Sequence, residues 1–427
     1  MLKKSLMLLL LLGVAWSAQA QKIYLHCGRL IDGKQNKAQE KMTVVVEGKQ
    51  IVAVQKGFVQ PGTGDSLVDL RQKTVMPGFF DLHVHLESES SPSTYIDRFR
   101  LNKADLAFRS AVYARRTLLA GFTTVRDLGG SGVNVALRNA INSGYAEGPR
   151  VYTAEKSIAS TGGHADPSNG MRDDLRGDPG PAEGVINGPE EARKAVRQRY
   201  KNGADVIKIT ATGGVLSVAK DGSGPQFTEE EIRAIVETAK DYGMITAAHA
   251  HGAEGMKRAI RAGITTIEHG TLMDDETMDL MVEHGTWYVP TITAGKEAAA
   301  NAEKPGYYPE VVVPKARAIG PKIQDNFAKA YKRGVKIAFG TDAGVFKHGE
   351  NAREFGYMVD AGMPPMEAIK AATSSAAEVL QVSNQLGSVE AGKMADLVAV
   401  DENPLTNIKT LEHVTFVMKD GIIYKSE

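Results

Sequence analysis

Cysteine is nearly absent from this sequence of 427 residues, which has only Cys27, and net charge is absent too, since 51 basic residues balance 51 acidic ones. A single cysteine excludes an intrachain disulfide. The balanced charge gives no indication of a nucleic-acid partner or of an anionic membrane surface. A chain of this length suggests one large domain or two to three smaller ones.

Long apolar runs are also missing, apart from one at the N-terminus between Leu6 and Trp16. This run is shorter than the roughly 20 residues that a membrane-spanning helix needs. Two lysines precede it and the small-residue sequence SAQA follows it, which is typical of a secretory signal. We therefore predict a signal peptide at residues 1–20 and a secreted or periplasmic protein with no membrane attachment after cleavage.

Both ends of the remaining chain contain short runs of β-forming residues between glycine-rich turns. Neither end has enough strands to fold alone. We predict that residues 21–78 and 388–427 together form a small β-sandwich domain.

Residues 79–387 alternate strand-like and helix-like patterns. Eight strand candidates occur: GFFDLHVHL, GFTTVRDLGG, RVYTAEKSI, ADVIKITA, MITAAHAHG, ITTIEHG, TWYVPTIT and VKIAFGTDAG. This alternation predicts an α/β fold, a (β/α)8 TIM barrel whose reactive residues lie at the C-terminal strand ends. A doubly wound open sheet is the alternative, but no glycine-rich dinucleotide turn follows the first strand.

Histidines cluster at the predicted strand ends. His83 and His85 are two residues apart on the first strand and therefore face the same side. The other strand-end candidates are His249, His251, His269 and Asp342. Chance placement of core or surface histidines is the alternative, but imidazoles and a carboxylate at one end of a barrel predict metal binding.

Lys208 lies inside the buried strand pattern ADVIKITA. Burial of an ammonium group is unfavourable unless the group has a partner or a chemical role. A salt bridge and a Schiff base are two explanations. The third is a carbamate formed with carbon dioxide, an anion that can bridge two cations and is stabilised by them. The histidine cluster disfavours the Schiff base, which needs no metal.

Together these motifs carry a resemblance that covers nearly all of the mature chain. The stretches that carry it are GRLIDG, MPGFFDLHVHLE, TTVRDLGG, IKITATGGVLS, TIEHGTL, FGTDAG, AGMPPMEAIKAAT and GSVEAGKMADLVAV. They resemble the amidohydrolase superfamily in its binuclear-metal subtype, close to Xaa-Pro dipeptidases (prolidases) and ochratoxin-type amide hydrolases.

The resemblance implies two divalent metal ions, zinc first with manganese or cobalt as alternatives, and a carbamate on the lysine. By resemblance, the more buried metal is held by His83, His85, Lys208 and Asp342, and the second by Lys208, His249 and His269. The metals would activate a bridging hydroxide, and Asp342 would move its proton to the leaving amine.

His251 is a departure, because many prolidase-like relatives carry a tyrosine at this position. An imidazole can donate the same hydrogen bond to a developing oxyanion, so we predict a catalytic and substrate-binding role for His251. Whether His249 or His251 is the metal ligand stays open, with His249 favoured because it comes first after an apolar run.

His164 follows two glycines, and the resemblance implies that it contacts the substrate carboxylate. Arg172 and Arg176, in the long loop after it, are candidate carboxylate clamps. Tyr307 and Tyr308 are a candidate apolar wall that favours large leaving residues such as phenylalanine.

The expected function is a metal-dependent amidohydrolase that releases an amino acid with a free carboxylate, as a dipeptidase, carboxypeptidase or ochratoxin-type amidase. The alternative is a cyclic-amide hydrolase or deaminase of the same superfamily, because His251 and Glu254 have the His-x-x-Glu spacing of mononuclear deaminases. A metal store is a more distant alternative. We expect a small-molecule amide or peptide as partner and a homo-oligomer.

Overall fold

The computed structural model describes residues 21–427, so the predicted signal peptide lies outside the described part of the chain. In residues 21–427, none of the helices combines the length and apolar character that a bilayer crossing requires.

The described chain alternates strands and helices. Its strands are β1 (Lys22–Leu30), β2 (Gln39–Glu47), β3 (Gln50–Lys56), β4 (Ser66–Pro77), β5 (Phe79–Val84), β6 (Phe122–Asp127), β7 (Arg150–Thr153), β8 (Ile207–Thr210), β9 (Thr246–Gly252), β10 (Thr266–Leu272), β11 (Trp287–Val289), β12 (Leu397–Val400), β13 (Phe416–Lys419) and β14 (Ile422–Ser426). Its α-helices are α1 (Thr94–Arg100), α2 (Lys103–Leu119), α3 (Val133–Asn142), α4 (Asp173–Arg176), α5 (Pro189–Lys201), α6 (Glu229–Asp241), α7 (Ala253–Arg261), α8 (Asp275–His284), α9 (Ile292–Ala302), α10 (Val313–Ile319), α11 (Ile323–Arg333), α12 (Arg353–Asp360), α13 (Pro365–Ala371) and α14 (Ser374–Val379). Two 3₁₀ turns lie at Gly320–Lys322 and Ile408–Glu412.

The two ends of the described chain meet in a seven-stranded sheet with the order β14–β13–β12–β4–β1–β2–β3. Strand β4 is central to this arrangement, parallel to β1 and antiparallel to β12. Apolar side chains from both ends, including Leu25, Val44, Leu397 and Phe416, pack into one buried cluster. The two-layer sandwich form and the domain boundaries stay predictions.

The middle of the chain forms two parallel sheets, β5–β6–β7 and β8–β9–β10–β11. Every residue of β5, β6 and β8 is buried, as expected when other layers cover both faces of a parallel sheet. Single parallel bridges extend these sheets, joining Ile158 to Ile209, Ile337 to Tyr288 and Ala343 to Val84. This arrangement confirms the α/β fold and brings the C-terminal strand ends together.

The predicted eighth strand, VKIAFGTDAG, is not a regular strand in the structure. It is nevertheless hydrogen-bonded on both sides, because Leu82 donates to the carbonyl of Phe339 at 2.9 Å and Ala338 donates to that of Tyr288 at 3.0 Å. Asp342 has a φ of +60°, a left-handed conformation that interrupts the pleat. The segment therefore pairs with its neighbours on both sides, as a strand would, until it reaches Asp342.

Candidate metal centre

The predicted ligands come together at the C-terminal strand ends. His83 lies on β5, Lys208 on β8, His249 on β9 and His269 on β10. Asp342 is fixed beside β5, since its N–H donates to the carbonyl of His83 at 2.7 Å. All of them line one cavity of about 280 Å³.

Three of these residues form the tightest group. One ligand atom each from His83, His269 and Asp342 lies within 4.8 Å of the others. Nζ of Lys208 is 3.3 Å from Nε2 of His83, and Nε2 of His85 is 3.3 Å from Oδ1 of Asp342. Five predicted ligands thus direct nitrogen or oxygen atoms at a common space.

The far ring nitrogens of the histidines are anchored. Nδ1 of His83 lies 2.9 Å from the carboxylate of Glu268, and Nδ1 of His85 lies 2.8 Å from the carbonyl oxygen of Gly129. These two oxygens can only accept, so each ring carries its proton on Nδ1 and presents a lone pair at Nε2. Nδ1 of His269 is likewise 2.7 Å from the hydroxyl of Thr291. Such anchoring is the usual support of metal-ligating histidines.

Oδ1 of Asp342 is buried and receives no hydrogen bond from any residue in the range 21–427. The nearest ring nitrogen, Nε2 of His85, also presents a lone pair. Two acceptor atoms that face each other at 3.3 Å need a cation or a proton between them. The donor set and its unsatisfied oxygen therefore fit a metal centre.

Burial controls the ionisation of the cluster. It lowers the pKa of the imidazoles of His83, His249 and His269 well below the ordinary value, and that of His85 to about 4. Neutral imidazole is the form that ligates metals. Burial also lowers the pKa of Lys208 and raises that of Asp342. The lysine is thereby shifted towards the uncharged amine.

His249, His251 and His164 lie at one side of the cluster. The ring of His249 stacks on that of His164, with centroids 4.3 Å apart. Nε2 of His249 is 3.2 Å from the carbonyl oxygen of Gly213, whereas Nδ1 of His251 is 2.9 Å from the hydroxyl of Thr271. Each ring keeps one nitrogen for the cavity, so the choice of ligand between His249 and His251 stays open. Nδ1 of His164 is buried without a hydrogen-bond partner.

Backbone strain accompanies this cluster. His269, Thr291 and Asp342 have φ values of +71°, +54° and +60°. For residues other than glycine, this left-handed conformation costs roughly 1–3 kcal/mol each. In His269 the unusual φ lets two consecutive residues, Glu268 and His269, both serve the site, although neighbours on a regular strand face opposite sides.

Several candidate residues lie elsewhere. Arg172 and Arg176 are exposed and pair with Asp174 and Asp173. Glu254, on which the deaminase alternative depends, is exposed and pairs with Arg258 at 2.8 Å.

Neither Tyr307 nor Tyr308 is among the residues that line the cavity. Tyr308 instead belongs to a buried apolar cluster that includes Val215 and Ala298. The expectation that these tyrosines wall the cavity is therefore wrong, since smaller side chains such as Ala298 line it.

Two important residues escaped the sequence analysis. Arg126 and Glu268 form an ion pair at 2.7 Å in which both side chains are fully buried, and Glu268 orients His83. The signal was present, since both are charged residues within strongly apolar strand patterns. It was overlooked because Glu268 directly precedes the candidate ligand His269.

The chain is similar to several known proteins. The sequence pattern of the amidohydrolase family matches residues 74–424. Ochratoxinase from Aspergillus niger is 36% identical over 379 residues, which cover 83% of this chain and 76% of that protein. The crystal structure of that enzyme has a TM-score of 0.81 at 31% identity, covering 96% of each chain.

A crystal structure of a Xaa-Pro dipeptidase with bound methionine in the active site is more similar. It is 53% identical, with a TM-score of 0.93, and the match covers 95% of this chain and 100% of that one. These matches confirm the resemblance that the sequence motifs predict. The chain belongs to the amidohydrolase family.

Proposed function

We propose that this protein is a metal-dependent amidohydrolase that cleaves an amide or peptide bond and releases an amino acid with a free carboxylate. Membership of its family makes it a hydrolase that acts on C–N bonds. The observation that carries the proposal is the set of inward-facing nitrogens around the unsatisfied carboxylate oxygen of Asp342. The similarity to a Xaa-Pro dipeptidase and to ochratoxinase supports the substrate class.

Two divalent ions, zinc in the first instance, would be held by the side chains of His83, His85, Lys208, His249, His269 and Asp342. Lys208 would serve as a carbamate, since its burial among imidazoles and its lowered pKa favour reaction of the neutral amine with carbon dioxide. When bound, such ions supply Lewis acidity and lower the pKa of water.

Asp342 is the proposed proton shuttle. A carboxylate can ligate a metal through one oxygen and accept the proton of the attacking water on the other. Asp342 would then deliver that proton to the leaving amine.

His251 is the proposed donor to the developing oxyanion. Burial lowers its pKa to about 3, so the ring is neutral and has one N–H to offer. If the hydroxyl of Thr271 donates to Nδ1 across the 2.9 Å contact, the proton is on Nε2 and is available to the substrate.

His164 is the residue proposed to bind the substrate carboxylate. Its buried Nδ1 lacks a partner in the described structure, and its ring is held by stacking on His249. The ring also lies against the backbone of Gly214, since a Cβ there would be 2.2 Å from its Nδ1 and Cε1. A carboxylate fixed at this point would orient the leaving amino acid.

The proposal extends to the molecule as a whole. The parallel bridges between the two central sheets and the segment around Ile337 and Ala343 support a closed (β/α)8 barrel. The signal pattern at residues 1–20 supports export to the periplasm or the medium. A homo-oligomer stays a prediction.

The test is hydrolysis of a set of dipeptides and N-acyl amino acids, each as the free acid and as the carboxamide, with and without a chelator. We expect cleavage of the free acids, loss of activity with the chelator, and recovery with zinc. His164→Ala should remove most of the preference for the free acid. Equal cleavage of acid and carboxamide by the unmodified enzyme would contradict recognition of the carboxylate.

A further inference from the structure

The cavity has two unlike ends. One end holds the candidate ligands. The other is walled by apolar side chains that we call the apolar chamber, and these include Val215, Leu216, Ala298, Ala316, Ile319 and Val345. They come from the loop after β8, from α9, from α10 and from the segment after Asp342. Because both ends belong to one cavity, a molecule bound at the ligand end can extend into the chamber.

The charged groups beside the chamber are already paired. Lys315, on the same helix as Ile319, donates to three carbonyl oxygens of the loop after β8, at 2.6 to 3.0 Å. The N-terminus of α9 is occupied as well, because the carboxylate of Glu354 accepts from the N–H groups of Ile292 and Thr293 at 2.7 Å each. Neither group is left to bind a charged substituent, and burial of an unpaired charge is costly.

The chamber walls are fixed. A Cβ on Gly320 would lie 2.4 Å from the carbonyl oxygen of Gly295, so the 3₁₀ turn packs directly on the backbone of α9. On the opposite side, Tyr95 donates to the carbonyl oxygen of Leu216 at 2.6 Å. Small side chains on α9 thus leave space that the surrounding backbone does not fill.

A polar group of the same cavity also lacks a partner. Thr210 is 3% exposed and lines the cavity, and its Oγ1 has no hydrogen bond in the described structure. Because this hydroxyl lines the cavity, it is available to a hydrogen-bonding group of a bound molecule. An amide substrate provides such a group between its reactive carbonyl and its side chain.

From these observations we infer that the apolar chamber binds an uncharged, apolar side chain of the substrate and that Ala298 sets the size of that side chain. This inference rests on the proposed function and specifies its substrate class. Ala298 is 5% exposed and packs in the chamber wall with Val215, Ala316 and Ile319. A larger residue at position 298 would therefore occupy space meant for the substrate.

The test uses two dipeptide series, Ala-Xaa and Xaa-Ala, in which Xaa is Ala, Leu, Phe, Glu or Lys. Only one series places its variable side chain in the chamber. In that series we expect the kcat/KM of the unmodified enzyme to rise about tenfold to a hundredfold from Ala to Leu and to fall for Glu and Lys. Ala298→Leu should remove that rise, because it should lower the kcat/KM of the Leu and Phe substrates more than that of Ala-Ala. Ala300→Leu is the matched control, since Ala300 is exposed on the same helix, and it should behave as the unmodified enzyme.

If Ala298→Leu does not fold, Leu216→Ala decides the question, because an enlarged chamber should shift the preference from Leu towards Phe. Equal cleavage of Leu, Glu and Lys substrates by the unmodified enzyme would overturn the chamber alone. An equal loss for Ala-Ala and the Leu substrate in Ala298→Leu would do the same. Absence of cleavage of every dipeptide would overturn the proposed function, and the chamber with it.

Discussion

Buried polar groups at the candidate metal centre differ from those in the layer of side chains just outside it, which we call the shell and which includes Asp81, Arg126 and Glu268. In the shell, Asp81 accepts hydrogen bonds from Thr341, from Asn351 and from the N–H of His83. Arg126 is paired with Glu268 and also donates to the carbonyl of Leu82 at 2.6 Å. At the centre, by contrast, Oδ1 of Asp342 and Oγ1 of Thr210 have no hydrogen bond.

The difference lies in whether the protein itself provides the hydrogen-bond partners of these buried groups. Buried polar groups in folded proteins are nearly always satisfied, because an unmade hydrogen bond costs about 1–3 kcal/mol. The groups of the shell are satisfied within the protein, whereas those of the centre are not. This contrast indicates that the centre serves the binding of a ligand and not the stability of the fold. Variants on the two sides of this boundary should therefore fail in different ways.

The largest effect is expected at Lys208. Lys208→Ala removes the proposed bridge between two metal ions, so metal content and activity should be lost together. Added short carboxylic acids should restore part of both. Metal analysis and turnover are the measurements, and a full complement of metal with normal turnover in the variant would exclude the carbamate bridge.

Asp342→Asn tests the other side of the centre. The amide keeps an oxygen towards the metals but cannot take up the proton. We expect kcat to fall by about 10² to 10⁴-fold, with the fold and much of the metal retained. Near-normal kcat would mean that another group moves the proton.

Glu268→Gln probes the shell. The substitution keeps a hydrogen-bond acceptor for His83 but removes the charge that pairs with Arg126. We expect metal affinity to fall by about 10 to 100-fold, with kcat recovering when metal is in excess. Chelator competition measures the affinity. If added metal does not restore kcat, Glu268 acts in the reaction itself and belongs to the centre, not to the shell.

The smallest effect concerns stability and its dependence on pH. Burial raises the pKa of Glu354 to about 7, so between its ordinary value and pH 7 the folded protein holds a proton that the unfolded chain has released. The unfolding free energy therefore falls as pH rises through this window. In Glu354→Gln this fall should be shallower by about 3 kcal/mol.

Denaturant unfolding of the metal-free protein at several pH values measures this difference. Glu412→Gln is the control, because Glu412 is exposed, and it should leave the slope unchanged. A slope in Glu354→Gln that is identical to that of the unmodified protein would show that the carboxyl group is ionised throughout the window.

The sequence predicted what depends on local pattern. His83, Lys208 and His269 could be located because each stands out from an apolar strand and because parallel strands bring their ends together. The alternation of strands and helices was also sufficient for the α/β fold.

The sequence did not predict what depends on distant partners. Glu268 orients a histidine 185 positions away in the chain, and no local pattern encodes that contact. The chamber wall was missed for a related reason. Tyr307 and Tyr308 are the conspicuous side chains of that segment, yet the cavity is lined by alanines of α9 and by Ile319 of α10. Which residues of these helices face the cavity depends on how α9 and α10 pack together.

The seven-stranded sheet has a consequence for the way the chain is made. Pro77 of β4 pairs with Leu397 of β12, so one edge of β4 has no neighbour until synthesis has passed residue 397. An unpaired strand edge invites association with other chains, and contacts between such distant positions form slowly. The newly made chain therefore carries an open edge through the synthesis of its entire central region. Shortening the C-terminus should accordingly cause aggregation of the newly made protein before it changes the catalytic activity of the protein that folds.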